Sequence, residues 1–475
     1  MVADPSVVLV RVDREPARHT RHPRHRHAPL DLLYVQAGLA TRAIDAPLVD
    51  HWRDPSPIAQ LLARVVALHP RAVLLRANGW AADETLRLGR ALRVRGIVTV
   101  AAGQLVTQAR MRPVAGWADA FDLTVAGEPE QAAVDLLGDL LAGADPTALA
   151  ADEARRLAAH GPHLVRDPDA LPAPAQSRRQ LAVYRFPFPL RGRPARYWGH
   201  VQSSWGCPSR CRHCTEVVRK SVGFHYRRRD PAAVAAEVAR LAAAGADAIC
   251  FEDDSLLADR RHFLALCGEL EQLRPRVRWL ASVRPDDLDA ETVTAAAAAG
   301  AALFKVGVET GAPRLAELIG KARDGHAWRA RVVEVFDLLE RAGIGSVALF
   351  LVGLPGESAA ERALSLDLAR RLRPDYLQLQ RFTAYPDVGL AAGDDAGPGY
   401  HYPLPGHAPD PLDAAQAAFY RRFYLRPGFV GRHLAHTWRS YLDPARLAAA
   451  GGQVAAAAKV MLGPLLTRTG RAAPK

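Results

Sequence analysis

Ser204-Trp-Gly-Cys-Pro-Ser-Arg-Cys-Arg-His-Cys-Thr215 sets Cys207, Cys211 and Cys214 at a Cys-x3-Cys-x2-Cys spacing, in a chain of 475 residues with only five cysteines. Three thiolates this close can hold three corners of an iron–sulfur cubane. A four-iron cluster is normally held by four Cys, so a set of three leaves one iron for a ligand that is not protein. An open iron is a place for chemistry. The competing readings are a zinc site and three ordinary buried cysteines. Zinc usually needs a fourth Cys or His at a fitting spacing; His213 lies inside the loop, but no second Cys-x2-Cys follows. Cys250 and Cys267 read as core residues on a strand and a helix.

Downstream of the cysteines the sequence repeats a grammar of helix, Gly and apolar strand. Residues 231–244 form a helix with Asp230 as N-cap and Pro231 at its first position, closed by Gly245 and followed by a strand at 248–251. The signals recur with a helix at 289–299, Gly300 and a strand at 302–308, then with a helix at 328–342, Gly343 and a strand at 346–352. Adding strands near 200–203, 277–282 and 376–380 gives about six βα units, which means a parallel sheet with helices packed outside. In such barrels the loops after the strand C-termini build the active site.

Polar residues gather at those ends. Glu252-Asp-Asp254 follows one strand, and three adjacent carboxylates repel one another unless a cation or donors stand nearby; helix capping by Asp254 or Ser255 is the bland alternative. Arg284 and Glu309 end two further strands as a planar cation and an acceptor, with an Arg–Glu structural pair as their alternative. Gly353-Leu-Pro-Gly-Glu357 makes a turn in which backbone can approach a flat ligand, with Glu357 at the start of the next helix.

The triplet, the Asp253-Asp254 pair with Leu256 after it, Gly-Val-Glu309 with Lys321 downstream, and the Gly353–Glu357 turn together resemble the radical S-adenosylmethionine (SAM) enzymes. The likeness is strongest over 199–385. The resemblance implies a partial (β/α)6 barrel, a [4Fe–4S] cluster on Cys207, Cys211 and Cys214, and SAM completing the fourth iron. It implies Asp253 and Asp254 at the methionyl amino group, Arg284 at the carboxylate, Glu309 at the ribose or amino group, and Gly353 and Pro355 in the adenine turn. The implied reaction is one-electron cleavage of SAM to a 5′-deoxyadenosyl radical that takes hydrogen from an unactivated carbon.

Ahead of this lies a cysteine-free α/β unit. Residues 7–10, 71–75, 96–101 and 122–125 read as buried parallel strands, with helices near 57–67 and 83–93 between them. That pattern is an open, doubly wound, Rossmann-like sheet. The Pro29–Tyr34 segment, Ala126-Gly-Glu-Pro-Glu130 and the Ala170–Ala175 linker resemble the subgroup whose barrel follows a cobalamin-binding domain. Cobalamin and methylation are implied by that likeness, although the Asp-x-His-x-x-Gly motif is absent. The expected organisation is a cobalamin-binding-like domain at 1–140, a linker at 141–198, the barrel at 199–385 and a mainly helical substrate-capping region at 386–475. His19, His22, His25 and His27 crowd the first loop, where they read as solvated or as a metal or anion site. Residues 418–427 read as a helix against the open side of the barrel, and 447–466 as an Ala-rich helix.

The net charge of +12 raises the question of nucleic acid. Lys occurs five times while Arg and Ala abound, so the charge reads as compositional bias, and no stable nucleic-acid partner is expected. No apolar run is long enough for a membrane span and no secretory signal begins the sequence, so the expectation is a cytoplasmic protein. Expected partners are a small-molecule, lipid or peptide substrate and a one-electron reductant such as flavodoxin or ferredoxin. The alternatives are cobalamin-free rearrangement or cyclisation over a vestigial first domain, and a non-catalytic iron–sulfur protein. An RNA methylthiotransferase would need a second cluster, for which the first 206 residues have no cysteine.

Overall fold

A computed structural model describes residues 6–13, 27–109, 114–193, 195–214, 225–382, 390 and 411–441. The first sheet has five parallel strands: β1 (Val7–Arg11), β2 (Leu48–Asp50), β3 (Ala72–Arg76), β4 (Val98–Ala102) and β5 (Leu123–Val125), in the order β2-β1-β3-β4-β5. Alternate residues serve opposite faces. Val7, Leu9, Leu74 and Val100 pack under the helices Leu30–Thr41 and Pro129–Leu141. Val8, Val10, Val73 and Ala101 pack under Ile58–Val66 and Ala82–Arg93. Burial on both faces explains the unbroken apolar runs, and the doubly wound class is the one expected. Strand β2 was not foreseen, because three residues at a sheet edge carry no periodic signal.

The second sheet uses β6 (Trp198–Val201), β9 (Ala248–Phe251), β10 (Arg278–Val283), β11 (Ala301–Glu309), β12 (Gly345–Val352) and β13 (Tyr376–Arg381). All pair in parallel in the order β13-β12-β11-β10-β9-β6. Trp198 from one edge strand and Tyr376 from the other share one apolar cluster with Ala248, Leu280, Leu303 and Val347, so the sheet curls into a partial barrel. Phe186 and Leu190 fill its floor at the strand N-termini, which leaves the C-terminal ends for polar residues. Outside, the helices Pro231–Ala243, Arg260–Gln272 and Gly325–Arg341 bury Val238, Phe263 and Phe336 against the sheet. Asp230 caps the first of them, accepting from the amides of Ala232 and Ala233 at 2.9 and 3.1 Å. Gly300 has φ +94°, and a Cβ there would lie 2.4 Å from the Val277 carbonyl, so this return to a strand needs glycine.

Two further short strands, β7 (Ser204–Trp205) and β8 (Arg227–Arg228), make an antiparallel ribbon between the sheets. Residues 141–198 hold the helices Pro146–His160 and Arg178–Val183 rather than extended chain alone. The open edge of β13 is covered by the helix Pro411–Tyr424; the helix expected on the open side at 418–427 thus starts earlier and stops at Tyr424, and Pro427 opens the next one, Pro427–Tyr441. Tyr424 Oη accepts from the Leu377 amide at 2.8 Å and Tyr420 Oη from the Leu379 amide at 2.9 Å, replacing a missing strand. The expected helix at 447–466 lies outside the described residues. No described helix is long and apolar enough to cross a membrane.

Candidate active site

Strand β6 leads through Ser203 and the β7 ribbon directly into the cysteine loop. Gly206 makes the entry: its φ is +79°, and a Cβ would stand 2.1 Å from the His225 carbonyl. Cys207 and Cys211 are buried, Cys214 is half-buried, and none forms a disulfide. The loop is pinned to the segment after β11, where the Arg212 amide donates to the Ile319 carbonyl at 2.8 Å. Arg284, just past β10, donates through Nη1 to Cys211 Sγ at 2.6 Å and through Nε and Nη2 to Asp286 at 3.0 and 2.6 Å. A guanidinium N–H on sulfur is the polarity that suits a sulfur anion.

The three carboxylates after β9 part company. Asp253 turns inward, where its Oδ1 accepts from the hydroxyls of Ser203 and Ser204 at 2.7 and 2.5 Å. Burial pushes its carboxyl up to about 6 against the pull of those hydrogen bonds. Glu252 is held between His27 and His200, each with Nδ1 2.7 Å from a carboxylate oxygen. Burial pushes the Glu252 carboxyl up, but the two imidazoles outweigh it and hold it well below the ordinary range. Asp254 is exposed. The capping alternative is corrected: the next helix is capped by Asp259, which accepts from the His262 amide at 3.1 Å.

Glu309 closes β11 with φ +65°, beside a register shift between Gly307 and Glu309. Such a backbone costs about 1–3 kcal/mol for a residue with a side chain and collects where function constrains the chain. Its carboxylate lies 3.1 Å from Lys321 Nζ and 3.8 Å from His213 Nε2, so it faces the cysteine loop. Burial pushes the His213 imidazole down. The Arg284–Glu309 pairing posed by the sequence is not formed, since Arg284 pairs with Asp286 and Glu309 with Lys321. On the next strand Gly353 has φ +81°, Pro355 is half-buried in the turn, and Gly356 has φ +67°. Glu357 does not begin the helix as expected. Ser358 caps it, and Glu357 folds back to accept from the Gly353 amide at 2.6 Å.

The cysteine loop is also tied to the first sheet. Trp205 Nε1 donates to Glu130 at 3.1 Å, and Arg227 forks onto Glu128 with both contacts at 2.7 Å. Burial, with Glu128 adding to it, pushes the Glu130 carboxyl up to about 8. These ties escaped the sequence, because Trp205 and Glu130 are 75 residues apart. At the strand C-termini of the first sheet, Asn78 is buried and its Nδ2 has no hydrogen-bond partner among the described residues. Asn78 follows β3; the chain steps outward from β1 to β2 and then back past β1 to β3, so the gap between the parallel strands β1 and β3 is the switch point at which doubly wound sheets bind ligands.

Comparison with known proteins agrees with this geometry. Residues 201–369 match the Radical SAM superfamily. An uncharacterized methyltransferase of Pyrococcus horikoshii is 24% identical over 228 residues, 48% of this chain and 47% of that protein. The anaerobic magnesium-protoporphyrin IX monomethyl ester cyclase of Rubrivivax gelatinosus is 25% identical over 239 residues, 47% of this chain and 42% of that protein. Both matches thus span less than half the length of these curated relatives. Among solved structures, the radical SAM methyltransferase TsrM of Kitasatospora setae, with cobalamin and a [4Fe-4S] cluster bound, superposes at TM-score 0.58 with 19% identity, covering 81% of this chain and 77% of TsrM. OxsB, a cobalamin-dependent radical SAM enzyme, superposes at 0.57 with 13% identity, covering 91% of this chain and 56% of OxsB. Residues 201–369 therefore belong to the radical SAM superfamily, and the chain joins this domain to a doubly wound α/β unit.

Proposed function

We propose that this enzyme cleaves SAM at a [4Fe–4S] cluster held by Cys207, Cys211 and Cys214, and uses cobalamin in the first unit to methylate an unactivated carbon of a small molecule. The observation that carries the reading is the Arg284 fork, which spans from Cys211 to the strand-end acid Asp286 at the C-terminal face of the barrel. Three cysteines outside any disulfide, in one pinned loop, fit a cluster with an open iron. The Asn78 amide at the switch point, with no partner among the described residues, fits a large polar ligand such as a corrinoid. The organisation that goes with this reading is a cobalamin domain at 1–140, a connecting segment at 141–198, the barrel at 199–385 and a covering region at 386–475.

When bound, the cluster supplies one electron to the SAM sulfonium, the adenosyl fragment takes hydrogen from substrate, and the corrinoid supplies a methyl group. The chain's own residues do the positioning. Asp253 offers a buried carboxylate to the methionyl ammonium, with its oxygens fixed by Ser203 and Ser204 and with Asp254 at the rim. Arg284 would turn from Asp286 to pair the methionyl carboxylate, and Glu309, fixed by Lys321, would accept from the ribose or the amino group. Gly353 and Pro355 present backbone to the adenine edge. The reductant is a flavodoxin or ferredoxin.

The test pairs two measurements on anaerobically purified protein. Cys211→Ala should lose its iron absorption and 5′-deoxyadenosine formation while keeping its circular dichroism spectrum. Wild type supplied with hydroxocobalamin should bind about one per chain. Normal turnover by Cys211→Ala would sink the cluster assignment. Cluster-loaded protein that cleaves SAM but binds no cobalamin would remove methylation and leave rearrangement or cyclisation.

A further inference from the structure

His200, Cys250 and Glu252 meet on the inner wall of the barrel, outside the cysteine loop. His200 of β6 and Cys250 of β9 are register partners, and Glu252 follows Cys250 by two residues, so strand alternation returns it to the same side. One ligand atom from each of the three lies within 4.8 Å of the other two. His27, from the loop after β1, brings its Nδ1 to 2.7 Å from Glu252 Oε2. Neither the cysteine triplet nor the strand-end residues above account for this group.

The His200–Glu252 contact needs a proton or a metal ion between its two atoms. His200 Nε2 lies 3.1 Å from the Tyr184 carbonyl, which only accepts, so Nε2 carries the hydrogen. In the neutral ring Nδ1 is then a lone pair, and it faces a carboxylate oxygen of Glu252 at 2.7 Å. Two acceptors at that distance need a proton or a metal ion between them. A ring N–H fixed on a backbone carbonyl, with the other nitrogen turned to the centre, is also how metal-bound histidines are oriented. The donors are nitrogen, sulfur and oxygen together. That mixture suits zinc, whereas magnesium and calcium take oxygen alone.

We propose that His200, Cys250 and Glu252 form a mononuclear zinc-class site, with His27 hydrogen-bonded to the Glu252 ligand from outside it. Three protein donors leave the fourth position of a tetrahedral ion to water or another small ligand. All three donors stand on the barrel beside the strand-end acids, and His27, from the loop after β1, orients Glu252 through its hydrogen bond.

The test uses the anaerobic, cluster-loaded full-length chain, incubated with Zn²⁺, gel-filtered into metal-free buffer and read for zinc and iron by plasma mass spectrometry. About one zinc per chain is expected. Cys250→Ser and His27→Ala should each lower zinc affinity at least about tenfold with iron unchanged. The His27 ring is 41% exposed, so its replacement leaves the fold intact and decides the matter if Cys250→Ser does not fold. Cys211→Ala should lose iron and keep zinc, which separates this site from the cluster. Zinc below about a tenth of an equivalent in wild type, or zinc retention indifferent to His27→Ala and Cys250→Ser, overturns the site.

Discussion

Asp253→Asn should make the empty protein more stable and the SAM complex weaker, and both effects can be sized from the contacts. Both serine hydroxyls donate to Oδ1, the oxygen that asparagine keeps. Among the described residues Oδ2, which becomes the amide nitrogen, accepts only from the Ser203 amide at 3.2 Å, and that amide lies equally close to Oδ1. Little hydrogen bonding is therefore lost. The gain is the cost of an ionised carboxyl in a buried site, where only 3% of the residue is exposed. A rise from the ordinary 3.8 to about 6 corresponds to about 3 kcal/mol. Because the folded value is raised, the cost is absent below pH 4, grows between 4 and 6 and is complete above 6. The variant should melt higher than wild type at pH 7.5 and no higher at pH 4. SAM binding should move the other way. Removing one partner of a buried charge pair costs about 2–5 kcal/mol, or roughly thirtyfold and more in Kd. In wild type, Kd measured by equilibrium dialysis should rise about tenfold for each pH unit below 6 as Asp253 protonates, and the variant should show a flat profile. Equal affinities for the two proteins at pH 7.5, or the same pH slope in both, would refute the assignment of Asp253 to the ammonium.

Glu130→Gln keeps the oxygen that accepts from Trp205 and removes a carboxyl whose value burial has raised to about 8. The same sign applies: thermal melts should show no gain near pH 4 and a gain approaching about 5 kcal/mol above pH 8, and a pH-independent difference would contradict the burial argument. Glu309→Gln leaves Lys321, 5% exposed, without its anion, which should cost about 3 kcal/mol in urea unfolding; a change under about 1 kcal/mol would mean that the Gly307 carbonyl suffices for Lys321. Gly353→Ala forces a side chain to φ +81° and against Leu412, so the adenine turn should distort and the KM for SAM should rise at nearly constant melting temperature. An unchanged KM would take that turn out of the site.

Much of the architecture was legible because its signals are local. Asp230-Pro231 at a helix start and glycine at a helix end recur as printed in the sequence, and β9 lies where its four apolar residues put it. The edge strand β2 and the β7–β8 ribbon were not legible, since strands of two or three residues take their shape from partners far along the chain. Cys250 illustrates the limit. As one buried cysteine in an apolar strand it reads as core, and only the register of β6 against β9 sets it beside His200.

The sequence by itself determined the cysteine spacing, the alternation of helix and strand, and the placing of Asp253, Arg284, Glu309 and Gly353 at strand ends, because each depends on neighbours a few residues away. Tertiary structure decided which of those groups meet. It sent Glu252, Asp253 and Asp254 to three different surroundings, set Arg284 on Cys211 instead of Glu309, and carried His27 across to Glu252, 225 residues on. The physical reason is that charge pairing and burial depend on distance through space, and only the curl of the barrel and its docking on the first sheet fix those distances.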